Sequence, residues 1–77
     1  MSADFRALVH QLAAIRLARN LPQRAIAKRM GIVRSAITRL EHDETRDPHL
    51  STITRYADAL GVQIRIYDPR ATTEDET

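Results

Sequence analysis

Gln23-Arg-Ala-Ile-Ala-Lys-Arg-Met-Gly-Ile-Val-Arg-Ser-Ala-Ile-Thr-Arg-Leu40 is the stretch around which this chain is organised. Ile26, Ala27 and Met30 follow helical spacing, Gly31 interrupts it, and Ile37 and Leu40 resume it. Glycine after a short periodic run stops a helix, because it adopts a left-handed backbone at no steric cost. Ala27, one turn before the break, lets a crossing helix come close. The pattern predicts two short helices meeting at a sharp turn, an arrangement whose second helix can lie in a DNA major groove.

Charge agrees with that geometry. From Phe5 to Leu40 every ionised side chain is basic: Arg6, Arg16, Arg19, Arg24, Lys28, Arg29, Arg34 and Arg39. Neutralising phosphates and releasing their counterions supplies most non-specific DNA affinity, so such an excess suits a nucleic-acid partner. The net charge of +2 understates it, because Glu74, Asp75 and Glu76 crowd the end of the chain. That end has no apolar residue after Ala71 and reads as a disordered, solubilising tail over residues 69–77.

Working outward, residues 4 to 19 predict a first helix, with Phe5, Leu8, Leu12, Ile15 and Arg19 on one stripe and Val9 widening it. Ser2 or Asp4 can cap it, and Asn20-Leu21-Pro22 ends it, since a residue before proline avoids the helical region. Pro22 stands at the mouth of helix two, where its missing N–H does no harm. Helix two spans about 23–30 and buries Ile26 and Met30; helix three spans about 33 to 41 or 42 and buries Ile37 and Leu40. A polar loop from His42 to His49 leads to helix four at 50–60, with Leu50, Ile53, Ala57 and Leu60 inward and Gly61 as its stop. Then the period changes. Val62, Ile64 and Ile66 alternate with Gln63, Arg65 and Tyr67, which predicts a half-buried strand over 62–67. No other segment reads as a strand, so the simplest pairing is with the same strand of a second chain, as a two-fold dimer; the other reading is that Val62 to Ile66 lies extended over its own core.

The residues resemble a known family. Gln23, Ala27, Gly31, Ile37, Leu40 and Glu41 fall where phage-repressor-like helix-turn-helix domains of the Cro/C1 (Xre) type carry their signature residues. The run from Pro48 to Gly61 is similar to that family's next helix, and the resemblance covers roughly 15–66. It implies that Gln23 meets the DNA backbone and buttresses the recognition helix. Two departures stand out: Pro22 replaces the usual hydroxyl residue, and Val33 replaces the usual Ser or Thr cap. Valine cannot cap, so either helix three begins less firmly or the Val33 methyls meet a thymine methyl. A strand directly after the fourth helix resembles repressor-like antitoxins whose toxins are kinase-like. Some of these grip the toxin with a C-terminal aromatic, and none follows Tyr67 here.

The expected fold is therefore all-α, a compact four-helix domain over residues 1–68 with a short C-terminal strand at 62–67 pairing across a dimer. Arg34 and Ser35 sit in the first turn of helix three, which enters the groove most deeply, and Arg34 can pair with guanine O6 and N7. Thr38 and Arg39 follow one turn later. Gln23 opens helix two, where free N–H groups favour phosphate. Arg24 and Lys28, with Arg16, Arg19 and Arg29, are the candidate phosphate contacts, while Glu41 is expected to pair internally with Arg16 or Arg19. Val62, Ile64 and Ile66 are the candidate dimerisation residues.

Other function classes fare worse. With 77 residues there is room for one small core, and below about 80 residues a core supplies only ~3–5 kcal/mol, which a second subunit would supplement. There is no cysteine, and His10, His42 and His49 are scattered, so neither a disulfide framework, a metal site nor a cofactor is expected. No apolar run approaches the ~18 residues of a membrane span, nor does the start read as a signal peptide, so a cytoplasmic protein is expected. Ser35, His42 and Asp47 make a triad on paper only. Helix three points Ser35 outward, and no oxyanion loop or nucleophile elbow is present. A non-specific architectural binder lacks its apolar wedge and low-complexity basic tail. Two readings remain: a phage or plasmid repressor acting alone, and an antitoxin that binds a toxin protein and represses its own operon. The absence of a ligand-sensing domain favours the second.

Overall fold

The computed structural model describes residues 3–43 and 47–70. Four helices follow in order: α1 (Ala3–Ala18), α2 (Gln23–Met30), α3 (Arg34–His42) and α4 (Leu50–Leu60). Both α1 and α2 pack against α3 and α4. The core between them is built from Val9 and Leu12 of α1, Ile26, Ala27 and Met30 of α2, Ile37 and Leu40 of α3, and Ile53, Tyr56, Ala57 and Leu60 of α4. The expected tail lies outside the described residues from 71 onward, as do Glu44, Thr45 and Arg46 of the polar loop and the candidate cap Ser2.

Three helices end in one motif. Gly31 (φ 72°) and Gly61 (φ 77°) take the left-handed conformation, and so does Asn20 (φ 57°), the one non-glycine residue at positive φ among those described. At each, two carbonyls of the last turn are closed by the next two N–H groups. Gly31 and Ile32 donate to Lys28 and Ala27, Gly61 and Val62 to Asp58 and Ala57, and Asn20 and Leu21 to Leu17 and Arg16. This is the Schellman arrangement, which favours an apolar residue just beyond the left-handed one. Leu21, Ile32 and Val62 occupy that place and all pack on the core. Thus α1 stops one residue before the expected Arg19, through Asn20 rather than through Pro22 alone.

Two apolar stripes differ from expectation. On α1 the buried residues are Val9, Leu12 and Arg16, while Phe5 is 37% exposed and Ile15 only half-buried. On α4, Leu50 is half exposed and Tyr56 takes its place on the inner face. Leu50 opens its helix at the rim, whereas Tyr56 completes the spacing Ile53, Tyr56, Ala57, Leu60.

No strand forms among the described residues, and residues 62–68 carry no ladder. Val62 and Ile64 turn toward the core while Gln63 and Arg65 face solvent, so the alternation is present in part. It fails at Ile66, which is 97% exposed beside an exposed Tyr67. Val62 is held inward by the closing motif of α4, and an unpaired extended segment has nothing to hold Ile66 beyond the core's edge.

Candidate nucleic-acid interface

Helices α2 and α3 are joined by Gly31, Ile32 and Val33, the tight turn the spacing predicted. Val33 takes an extended conformation (φ −77°, ψ 153°) and supplies no side-chain cap, and Pro22 and His49 likewise leave α2 and α4 uncapped. Val33 is 68% exposed, so its methyls face outward at the start of α3. Arg34, Ser35, Thr38 and Arg39 are all exposed and line one shallow depression along α3. The helix is therefore amphipathic in one sense: Ile37, Leu40 and Glu41 go inward, and these four polar residues go outward.

Beneath that face lies a buried ionic centre. Arg16 and Glu41 form a two-pronged pair, with Arg16 Nε donating to Glu41 Oε2 at 2.7 Å and Nη2 to Oε1 at 2.9 Å. Arg16 Nη1 reaches the Leu21 carbonyl at 2.8 Å. The Tyr56 hydroxyl donates to Oε2, and Gln23 Nε2 donates to Oε1 at 3.0 Å. Burial pushes the Glu41 carboxyl up, but hydrogen bonds from Arg16, Tyr56 and Gln23 outweigh it and hold the group below its ordinary range. The same bond to Glu41 raises Arg16. Tyr56 is raised by burial first and by Glu41 second, so it stays a neutral donor. A buried charge is tolerated only when paired and fully hydrogen-bonded, which this one is.

From Glu41 the network runs outward. Gln23 Oε1 accepts from Thr38 Oγ1 at 2.9 Å and from Arg34 Nε at a long 3.5 Å. Thus Gln23 bridges the buried pair to two of the outward residues of α3. Its amide N–H is turned inward to the carboxylate, which differs from a side chain simply reaching for phosphate.

The basic side chains, the candidate phosphate contacts among them, divide into two groups. Arg16 is buried in the ion pair, Arg19 Nη1 donates to the Leu60 carbonyl at 2.8 Å, and Arg29 Nη1 to the Ala59 carbonyl at 2.8 Å. Arg6 places both Nη1 and Nη2 on the Leu40 carbonyl, at 2.7 and 2.8 Å, and Arg55 Nη2 meets the Met30 carbonyl at 2.7 Å. Carbonyls in the last turn of a helix lack intrahelical partners and carry negative dipole charge, so these arginines complete helix ends. Arg24, Lys28 and Arg39 are exposed and engage no described residue. Part of the basic excess that pointed to DNA is therefore holding the fold together. Composition could not separate the two uses.

Tyr56 is the core residue that the sequence reading left unmarked, and Asn20, named there within the stop of α1, is its left-handed residue. The signal for Tyr56 was its place between Ile53 and Ala57 on the inward face of α4. Among the described residues no group of three or more His, Asp or Glu could hold a metal ion, and no helix is long and apolar enough to cross a membrane.

The family described as Helix-turn-helix matches residues 12–67. Two proteins named Antitoxin HigA1, from Mycobacterium tuberculosis strains CDC 1551 / Oshkosh and H37Rv, are each 43% identical over 63 residues. The aligned part is 82% of this chain and 42% of each relative, so this chain spans less than half of their length.

Proposed function

The chain belongs to the helix-turn-helix family, of the Cro/C1 (Xre) type, and is a DNA-binding regulator of transcription; from that membership we propose that it is a sequence-specific repressor acting as a dimer. The observation that carries the reading is the path from the buried Arg16–Glu41 pair through Gln23 to Arg34 and Thr38. A buried, fully satisfied centre that terminates on two exposed residues of one short helix is costly to build for a face that only meets water. Arg34 is the base reader, through guanine O6 and N7, with Ser35 beside it and Thr38 and Arg39 one turn on. Val33 offers its methyls to thymine. Arg24 and Lys28 contact phosphate, and Gln23 acts chiefly as a buttress, its second amide hydrogen left for the backbone.

Dimerisation runs through residues 62–67, which carry no ladder among the described residues and whose exposed Ile66 and Tyr67 suit pairing with a second copy. The functional unit spans residues 1–68, with 69–77 an acidic appendage, and it works in the cytoplasm, where its operator is. Footprinting tests this reading. A two-fold dimer protects an inverted repeat whose half-site centres lie about 10–10.5 bp apart, or a multiple of that. Protection of a single asymmetric half-site at the same concentration overturns the dimer.

The name of the two relatives supports a narrower role, as the antitoxin of a toxin–antitoxin operon. An abutting gene whose product arrests growth by itself, and is neutralised by this chain, is the expected finding. A neighbourhood without such a gene supports the stand-alone phage or plasmid repressor instead.

A further inference from the structure

Glu41 offers roughly four lone-pair sites, and four donors fill them. Arg16 Nε and the Tyr56 hydroxyl occupy Oε2, and Arg16 Nη2 and Gln23 Nε2 occupy Oε1. An ionised carboxylate only accepts, so the end of the Gln23 side chain facing it must be the NH2. The other end, Oε1, is thereby aimed at α3, where it takes the hydrogen bonds of Thr38 and Arg34. Reversing the carboxamide would set oxygen against oxygen at Glu41 and NH2 against the Arg34 guanidinium at α3. One buried carboxylate thus decides what the first turns of α3 meet.

Three helices besides α3 contribute to fixing that carboxylate: Arg16 comes from α1, Gln23 from α2 and Tyr56 from α4. Arg16 forks onto both oxygens from the α1 side. The Tyr56 hydroxyl adds a donor to Oε2 from the α4 side. Tyr56 is fully buried, and its ring is locked in the core among the largest buried side chains. Its hydroxyl donates to Glu41, with the Arg16 guanidinium beside it. A phenylalanine would fill the same core volume, so packing alone does not call for the oxygen.

We propose that Tyr56 is a positioning residue for base recognition: its hydroxyl fixes Glu41, Glu41 fixes the Gln23 carboxamide, and Gln23 holds Arg34 and Thr38 in the conformers that meet DNA. The inference rests on the reading of α3 as the recognition helix. It extends that reading to a buried residue of α4 that touches no base.

The test is a double-mutant cycle of Tyr56→Phe and Gln23→Ala. Binding is measured by fluorescence anisotropy on a duplex selected by the wild type and on a scrambled duplex of equal length, at one salt concentration. Tyr56→Phe lowers cognate affinity about three- to tenfold, the range one hydrogen bond is worth, and leaves scrambled affinity unchanged. In the Gln23→Ala background the same substitution makes no further difference, because the relay is already cut. Equal loss on both duplexes means a loosened fold and overturns the proposal, as does equal loss in both backgrounds or undiminished discrimination. A wild type that does not discriminate between duplexes refutes the recognition-helix reading itself, and the relay falls with it. An independent measurement needs no variant: of the two Gln23 side-chain NH2 hydrogens of the wild type, the one bonded to Glu41 exchanges more slowly in NMR than those of exposed glutamine side chains. A Gln23 amide whose two hydrogens both exchange as fast as those contradicts the relay.

Discussion

Glu41 is where sequence and structure agree most closely at the scale of single residues, and where a pH dependence follows. Its carboxyl is held below its ordinary value of 4.5 by Arg16, Tyr56 and Gln23 in spite of burial. A depressed folded-state value means stability that is present above about pH 4.5 and is lost as pH falls through the folded value. Thermal melts from pH 7 to pH 2.5 are expected to show this acid arm. Glu41→Gln leaves the Arg16 guanidinium buried without its counter-charge, so it lowers stability at neutral pH by about 3–5 kcal/mol, most of what so small a core holds. It also removes this contribution to the acid arm. The pair was legible because Glu41 follows the recognition helix, where a carboxylate suits an internal basic partner better than DNA, and Arg16 and Arg19 were the candidates. Choosing between them needed the structure: Arg16 falls on the buried stripe of α1 with Val9 and Leu12, and Arg19 lies beyond its end. Tyr56 escaped notice because a tyrosine reads equally well as an exposed helix residue. Asn20 stood within the expected stop, but Pro22 supplied a sufficient reason for it, so the left-handed conformation of Asn20 itself needed the structure.

At the scale of elements, α2 and α4 match their expected bounds, α1 differs by a residue at each end and α3 by one at its start, since helical spacing and Gly31 and Gly61 are strong signals. What spacing did not show is how the ends are satisfied. The C-termini are closed by backbone motifs and by arginines from other helices, whereas the N-termini of α2, α3 and α4 have neither a side-chain cap nor an acidic first turn. Val33 is exposed and loses little on replacement. Val33→Thr is therefore expected to stabilise the domain by about 1 kcal/mol through a new N-cap, read as a raised midpoint in urea at unchanged slope. The division among the basic residues gives a second outcome. Lys28→Ala, at a side chain with no described partner, weakens all duplexes alike and reduces the salt slope by about 1 for each protomer bound. Arg55→Ala, which strips the Met30 carbonyl of its donor, lowers the melting temperature and leaves that slope unchanged. The opposite assignment of the two effects would show that helix ends are not what Arg55 serves.

For the molecule as a whole, the four-helix fold was legible from periodicity, but the assembly was not, because one chain's pattern cannot display its partner. Val62 and Ile64 pack inward within a single protomer, so their apolar character has an intramolecular cause as well. The exposed Ile66 is the residue whose character that cause does not cover. A chain ending at Val62 keeps the closing motif of α4 and loses the rest of the segment. It is expected to sediment as a folded monomer with weak, non-specific DNA binding, and a stable dimer would move the interface to the helices. The central claim, that α3 reads base sequence, is tested most directly by Arg34→Ala on the selected and scrambled duplexes across several salt concentrations. The expected result is a loss of about 1–3 kcal/mol on the selected duplex alone, with relaxed preference at one position in each half-site. Equal weakening on both duplexes would make Arg34 one more phosphate contact and contradict the account.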